Sequence, residues 1–253
     1  MQSDNTITGD RNLAEQGYWD TSYSNYSFSL TPEEDKVKQW IKKNIPGTQT
    51  KSCFEIGCFP ARYLSVFGEL GYELNGIDVT PRTEKELPEW LKTEHFKVGE
   101  ITREDIFSYT PGKQFDVVCS FGFIEHFTNW QELIEVHFKL TKPGGIIMIE
   151  VPNFRGAVQN LIHKVLDKEN LERHYTPSMD PKLWGQLLKS KGCEILYSGY
   201  FPEFDYWYDK PPVSSLQKVF ASGLKKISPL LRKLPVNKSL YSPYCGVIAK
   251  RRQ

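Results

Sequence analysis

The sequence predicts an α/β protein with a mostly parallel sheet that has helices on both faces. Three observations support this fold class. Short apolar segments typical of strands alternate with amphipathic segments typical of helices through most of the 253 residues. Charged residues make up 25% of the chain, as in soluble globular proteins. No apolar run approaches the roughly 18 residues that cross a bilayer, and the length suits one large domain.

Seven segments are predicted as strands, namely 53–57, 72–78, 95–98, 115–120, 146–151, 193–200 and 244–249. Helices are predicted between them at 62–70, 81–91, 129–140 and 180–190. A further helix is expected to begin at Thr31, because Pro32 suits a first turn and Glu34 lies three residues after the cap. Pro46-Gly47 ends this helix.

The strand positions divide the chain into three parts. Residues 49–200 and 243–253 form the predicted core. Residues 1–48 contribute an aromatic segment and a helix, and residues 201–242 form an aromatic and basic insertion between the last two strands. Connections as long as 154–177 and 201–242 usually carry function or are disordered.

Charge is distributed unevenly along the chain. Residues 213–253 contain nine Lys or Arg and no acid, although the net charge of the whole chain is only +1. Apolar residues recur among these basic residues at helical spacing, so 213–235 is predicted to contact an anionic membrane or a phosphate-bearing substrate. A packed helix with a solvated basic face is the alternative. Because the start of the chain lacks a secretory signal, we expect a cytoplasmic protein, with peripheral contact at the inner membrane face as an extension.

Polar residues at the ends of the first two strands predict a nucleoside-binding site. Asp78 lies 21 residues after Gly57, where an acid can accept hydrogen bonds from both hydroxyls of an adenosine ribose. This spacing fits a nicotinamide cofactor or S-adenosylmethionine. Phe59 and Ala61 stand where a pyrophosphate would need glycines, which argues against the nicotinamide cofactor and an oxidoreductase. Glu55, in an otherwise apolar strand, favours a ligand with an ammonium and a sulfonium.

Four motifs in this order resemble the class I S-adenosylmethionine-dependent methyltransferases. They are Phe54-Glu55-Ile56-Gly57-Cys58, Asn75-Gly76-Ile77-Asp78, the pair Phe115-Asp116-Val117-Val118 and Phe123-Ile124-Glu125-His126, and Leu140-Thr141-Lys142-Pro143-Gly144-Gly145. The resemblance covers roughly residues 50–200 and the final strand. It implies a Rossmann-like seven-stranded sheet whose last strand is antiparallel, with S-adenosyl-L-methionine as the cofactor.

Carried over residue by residue, the resemblance implies cofactor contacts at Glu55, Gly57, Cys58, Asp78, Val79, Glu100, Ile101, Ser120 and Phe121. Glu55, Gly57 and Cys58 would line the methionine end, and Asp78 would hold the ribose. Val79, Glu100 and Ile101 would contact the adenine. Ser120 and Phe121 would contact the centre of the cofactor. The sequence departs from the family pattern at Phe59 and Ala61, where members have glycines.

Two histidines are candidates for the catalytic base. Methyl transfer depends mainly on positioning and exclusion of water, but a hydroxyl acceptor must also lose its proton. His174 lies in a connection that covers the pocket in similar sugar and quinone methyltransferases, and His126 follows the fourth strand. A capping or packing role is the alternative for each. No histidine and carboxylate set has metal-ligand spacing along the sequence, so no metal is expected.

The aromatic segments predict the acceptor side of the site. Tyr18, Trp19, Tyr206 and Trp207 are expected to form an apolar wall over the reacting groups, since ring faces suit sugars, quinones and nucleobases. The chain resembles methyltransferases of bacterial surface-polysaccharide and natural-product pathways. This resemblance implies O-methylation of a sugar or other small-molecule hydroxyl, with the sugar on a nucleotide- or lipid-linked carrier. N-methylation of an amino sugar or small amine, and a non-catalytic binding protein, are the alternatives. No nucleic-acid recognition module is visible.

Overall fold

A computed structural model of the chain describes residues 12–14 and 16–253. It shows a seven-stranded sheet in the order β3-β2-β1-β4-β5-β7-β6. The strands are β1 Ser52–Ile56, β2 Glu73–Asp78, β3 Val98–Arg103, β4 Phe115–Phe121, β5 Thr141–Pro152, β6 Cys193–Phe201 and β7 Tyr244–Arg251. The pairs β3–β2, β2–β1, β1–β4 and β4–β5 are parallel, and β7 is antiparallel to β5 and β6. The predicted sheet and its antiparallel last strand are confirmed.

Nine α-helices lie in the described part of the chain. They are α1 Gln16–Tyr23, α2 Lys36–Asn44, α3 Leu64–Glu69, α4 Glu86–Thr93, α5 Trp130–Leu140, α6 Ala157–Leu166, α7 Lys168–Glu172, α8 Pro181–Ser190 and α9 Ser215–Leu231. One core packs α2, α3 and α4 against the sheet, and a second packs α5 and α8 against it. Residues 1–11 and 15 of the predicted N-terminal segment lie outside the described residues.

The order of the strands places a site at one edge of the sheet. Strand order reverses between β1 and β4, and in open α/β sheets ligands bind beyond the carboxyl ends of the strands at such a point. The carboxyl ends of β1, β2, β4 and β5 therefore meet where the sequence motifs end.

Three predicted boundaries are wrong. The third strand is Val98–Arg103, not 95–98, because it is an edge strand that pairs with β2 through largely exposed residues without an apolar pattern. The second helix begins after Asp35, whose side chain accepts a hydrogen bond from the Lys38 amide at 2.8 Å, so Thr31 is not its cap. The predicted helix 81–91 is divided into a short 3₁₀ turn, Pro81–Thr83, and α4.

The insertion 201–242 is attached to the core by buried amides. The side-chain nitrogen of Asn153 donates to the carbonyls of Ser239 and Ser242, at 2.8 Å each. The side-chain nitrogen of Gln159 donates to the carbonyls of Asp205 and Tyr241. These bonds hold both ends of the insertion beside the carboxyl end of β5. Among the described helices, none has the length and apolarity that crossing a bilayer requires.

Candidate active site

Two adjoining cavities open at the carboxyl ends of the strands, with volumes of about 340 Å³ and 430 Å³. We call them the adenosine cavity and the transfer cavity. They share seven lining residues: Trp19, Tyr23, Gly57, Phe59, Phe121, Gly122 and His126. The two cavities therefore adjoin one another across these seven residues.

Asp78 and the backbone around it shape the adenosine cavity. Its carboxylate accepts hydrogen bonds from the backbone amides of Thr80 at 2.8 Å and Phe59 at 3.2 Å. Desolvation raises the pKa of Asp78 above its ordinary value, although these two bonds oppose the shift. Val79 lines the same cavity. The carboxylate is thus oriented by the fold and has lone pairs left for two ribose hydroxyls.

Gly57 gives the loop after β1 its close approach to the cavity. Its φ is +75°, and a Cβ atom there would lie 2.3 Å from the ring of Phe123. Ala61 also has a positive φ, of 65°. At a position where family members have glycine, alanine thus adopts the left-handed conformation that glycine favours.

Glu55 provides a buried carboxylate at the start of the transfer cavity, where Cys58 also lies. The Glu55 side chain is only 3% exposed, and its Oε2 atom has no hydrogen-bond partner among the described residues. Burial raises the pKa of Glu55 well above its ordinary value, and the nearby charge of Asp78 adds to the shift. A ligand ammonium would satisfy the unpartnered oxygen, so the residues fit S-adenosylmethionine.

Glu125, His126 and His174 meet on the far side of the transfer cavity. The Nδ1 atom of His126 donates to the Arg173 carbonyl at 2.9 Å, and that of His174 donates to the Asn170 carbonyl. Since a carbonyl can only accept, each Nδ1 carries the hydrogen, and each neutral ring has an unprotonated Nε2 atom. The Nε2 atom of His174 lies 4.0 Å from Oε1 of Glu125.

Burial sets the protonation of this cluster. It lowers the pKa of His126 to about 4 and raises that of Glu125 to about 8. It also lowers the pKa of His174 well below the ordinary value. Both histidines are therefore neutral near pH 7 and can accept a proton or a hydrogen bond. The ligand atoms of the three residues lie within 4.8 Å of one another, so the set could also hold a divalent cation, which sequence spacing did not reveal.

A series of ring contacts connects the two cavities. Trp19 stacks on Tyr23 at 5.7 Å and packs edge-on against His126 at 5.1 Å. His126 contacts His174 at 4.7 Å. Trp207 and Tyr18 also line the transfer cavity. Three of the four rings predicted to contact the acceptor thus lie at this site.

Four of the residues predicted for the site lie outside both cavities. Tyr206 packs in a separate cluster with Phe204 and α9. Glu100 and Ile101 lie within β3, because that strand continues to Arg103. The cavity wall at this point is Glu104, Asp105 and Ile106 instead. Ser120 is buried, and its hydroxyl donates to Nε2 of His137 at 3.0 Å.

Sequence reasoning did not select Glu125, Glu150 or Arg173, all of which line the transfer cavity. Glu150 was detectable, because it is the one acid in the apolar segment 146–151, the same signal that identified Glu55. Arg173 had no comparable signal. Two of its neighbours in the fold, Tyr18 and Asp209, come from distant parts of the chain.

Residues 32–198, more than half of the chain, match the family described as a methyltransferase domain. The chain belongs to this family. It is a class I S-adenosylmethionine-dependent methyltransferase, and S-adenosylmethionine is its cofactor. Membership excludes the nicotinamide-dependent alternative.

Two curated relatives are ubiquinone biosynthesis O-methyltransferases. The one from Dictyostelium discoideum, described as mitochondrial, is 27% identical over 139 residues, which are 50% of this chain and 43% of that protein. The one from Pseudomonas fluorescens is 26% identical over 116 residues, 45% of this chain and 49% of that protein. The chain thus spans about half the length of the curated relatives that it matches.

Solved structures show the same fold. An S-adenosylmethionine-dependent methyltransferase from Archaeoglobus fulgidus is 23% identical, with a TM-score of 0.55 over 85% of this chain and 92% of that chain. Magnesium protoporphyrin IX methyltransferase from Synechocystis, solved with bound S-adenosylhomocysteine, is 14% identical, with a TM-score of 0.50 over 85% of this chain and 80% of that chain. At these identities the likeness concerns the fold alone.

Proposed function

We propose that this methyltransferase O-methylates a hydroxyl of a small acceptor bound in the transfer cavity. The observation that carries the proposal is the cluster of Glu125, His126 and His174, which lines a cavity that adjoins the cofactor end and whose two histidines have unprotonated Nε2 atoms. The two curated relatives are named as O-methyltransferases, which supports transfer to oxygen.

His174 is the base in this proposal. S-adenosylmethionine supplies the methyl group, which the acceptor oxygen attacks as the carbon–sulfur bond breaks and its electron pair stays on sulfur. Nε2 of His174 takes the hydroxyl proton. Burial raises the pKa of Glu125 to about 8, so this group, 4.0 Å away, is protonated in the free protein near pH 7 and stabilises the imidazolium by ionising as that charge forms. His126 orients the acceptor, because its ring lies between Trp19 and His174.

A sugar is the acceptor class that we favour, as in polysaccharide or natural-product biosynthesis. Trp19, Trp207 and Tyr18 offer ring faces, and the histidines and carboxylates around them offer acceptors for several hydroxyls. N-methylation of an amine remains the second candidate, because an amine with a free lone pair would need no base.

The test is to incubate the protein with S-adenosylmethionine that carries a labelled methyl group and with a panel of sugars, nucleotide sugars, phenols and amines. Formation of an alkali-stable methyl ether supports the proposal. A product in which every labelled methyl group is bound to nitrogen contradicts it. For a variant that lacks His174, the control is His95→Asn, which removes an exposed histidine instead.

We further propose that α9 holds the protein against an anionic membrane, where the acceptor would be lipid-linked. Leu224 and Ser228 face the core, whereas Leu216, Val219 and Leu230 are 74%, 70% and 69% exposed. The exposed apolar residues recur at helical spacing and form one stripe. Four lysines of α9 and the residues after it make no ion pair with any described residue: Lys218, Lys225, Lys226 and Lys233. Such a helix suits the cytoplasmic face of a membrane.

Co-sedimentation with vesicles tests this contact. Phosphatidylcholine vesicles with a quarter of phosphatidylglycerol should bind the protein, and pure phosphatidylcholine vesicles should bind it far less. Changing the four lysines to Gln should weaken binding by about 10²–10³-fold, since each contributes ~1 kcal/mol near an anionic surface. The control changes the exposed Lys85, Lys92 and Lys189 to Gln. Equal binding to both vesicle types, or dimers formed through α9, contradicts the proposal.

A further inference from the structure

The transfer cavity contains three buried carboxylic acids that form no salt bridge with a described lysine or arginine. Glu55, Glu125 and Glu150 are 3%, 0% and 2% exposed. Each has at least one carboxylate oxygen that is buried and has no hydrogen-bond partner among the described residues. A buried charge is costly unless it is paired. These residues therefore require protons or cationic ligands.

The arginines of the cavity are engaged by other acids, although the charge of Arg62 partly opposes the rise that burial causes in the pKa of Glu150. Arg62 pairs with Asp35 at 2.7 Å. Arg173 lies 3.6 Å from Asp209 and over the ring of Tyr18. Each arginine is thus engaged by another acid and forms no salt bridge with the three glutamates.

The cofactor accounts for only one of the three carboxylates. S-adenosylmethionine has an ammonium, a sulfonium and a carboxylate, so its net charge is +1, and Glu55 at the end of β1 fits its ammonium. Glu125 adjoins the two histidines. The carboxylate of Glu150 is still without a ligand. Glu150 lies at the carboxyl end of β5, and its backbone carbonyl accepts a hydrogen bond from the Gly122 amide at 3.0 Å. Gly122 lines both cavities, so Glu150 lies beside the region where they meet.

We propose that the acceptor carries a cationic amino group and that the carboxylate of Glu150 binds it. This inference rests on the proposed function and narrows the acceptor to an amino sugar or a comparable hydroxylated amine. The hydroxyl to be methylated then lies toward His174, and the ammonium lies toward β5. Burial and the charge of Glu125 raise the pKa of Glu150 in the free protein, which is the electrostatic cost that a cationic ligand would remove.

Matched ligand pairs test the inference on protein saturated with S-adenosylhomocysteine. Calorimetry would compare D-glucosamine with D-glucose, and tyramine with 4-ethylphenol. The amine of at least one pair should bind about 10–150-fold more tightly than its neutral partner, as a charge-assisted hydrogen bond to a buried carboxylate implies. In Glu150→Gln this preference should fall below about threefold, while affinity for S-adenosylhomocysteine stays unchanged and shows that the variant is folded. Glu135→Gln should keep the preference, because Glu135 lies on α5 outside both cavities and its side chain is half-exposed.

A divalent cation could satisfy the same carboxylates, so Mg²⁺ and Zn²⁺ are titrated separately without amines. Wild-type protein that shows no amine preference in any pair overturns the inference, whether or not a metal binds. An amine preference that persists in Glu150→Gln also overturns the assignment to Glu150. The proposed function fails differently, through a product in which every labelled methyl group is bound to nitrogen.

Discussion

The two cavities of the site are built in different ways. In the adenosine cavity the backbone fixes the two residues that mark the strand ends: Asp78 is oriented by two amides, and Gly57 allows the loop to approach. The transfer cavity is formed by residues from β1 and the loop after it, from α1, β5 and β7, and from the connections after β4, β5 and β6. The first arrangement specifies one ligand shared by a whole family. The second can change with few substitutions and sets the identity of the acceptor.

The largest expected effect is on chemistry in the transfer cavity. In His174→Ala, kcat should fall about 10²–10⁴-fold, because the hydroxyl loses its proton acceptor. The cofactor dissociation constant should stay the same, since His174 does not line the adenosine cavity. Steady-state kinetics under saturating cofactor measure the first quantity, and calorimetry the second. Added imidazole should restore part of the rate. A kcat within a few-fold of wild type would mean that proximity alone drives transfer.

The next effect is on the adenosine cavity. Asp78→Asn keeps an oxygen for the backbone amides but loses one charged acceptor for the ribose. We expect S-adenosylhomocysteine to bind about 10–150-fold more weakly. Glu100→Gln is the matched control, because Glu100 lies outside both cavities. If Glu100→Gln weakened binding as much as Asp78→Asn, the placement of the adenine wall at Glu104–Ile106 would be wrong.

Glu55→Gln should separate binding from stability. The variant should bind the cofactor more weakly, yet the free protein should melt at a higher temperature. Burial raises the folded-state pKa of Glu55 above its ordinary value of 4.5, so ionisation of this group destabilises the fold as the pH rises. The gain in melting temperature should therefore be larger at pH 8 than at pH 5. A gain that is the same at both pH values would show that Glu55 is compensated in the free protein.

The smallest effect compares two adjacent rings. Trp207 lines the transfer cavity, whereas Tyr206 packs on α9. Trp207→Ala should raise the KM for the acceptor about 2–10-fold through loss of one ring contact. Tyr206→Ala should leave KM unchanged. Equal effects of the two variants would indicate that the insertion acts only through its folding.

The difference between the cavities also explains what could be predicted from the sequence. The carboxyl ends of parallel strands lie on one edge of the sheet, so the sequence was sufficient to predict that Gly57 and Asp78, at the ends of β1 and β2, lie at one site. The position of the third strand could not, because an edge strand with exposed residues lacks an apolar pattern. The acceptor end depends on contacts between distant segments. Glu125 and His174, 49 residues apart in the chain, are brought together by hydrogen bonds such as that from the Tyr175 amide to the Glu125 carbonyl at 2.7 Å.

The most direct test of this division of roles is a crystal structure of the protein with S-adenosylhomocysteine. The ribose hydroxyls should bind Asp78, and the sulfur should face the cluster of Glu125, His126 and His174. The distance from the sulfur to Nε2 of His174 should be about 6–8 Å, which leaves room for a methyl group and one acceptor oxygen in line. A sulfur atom that faces away from the cluster, or a ribose bound elsewhere than at Asp78, would contradict the account.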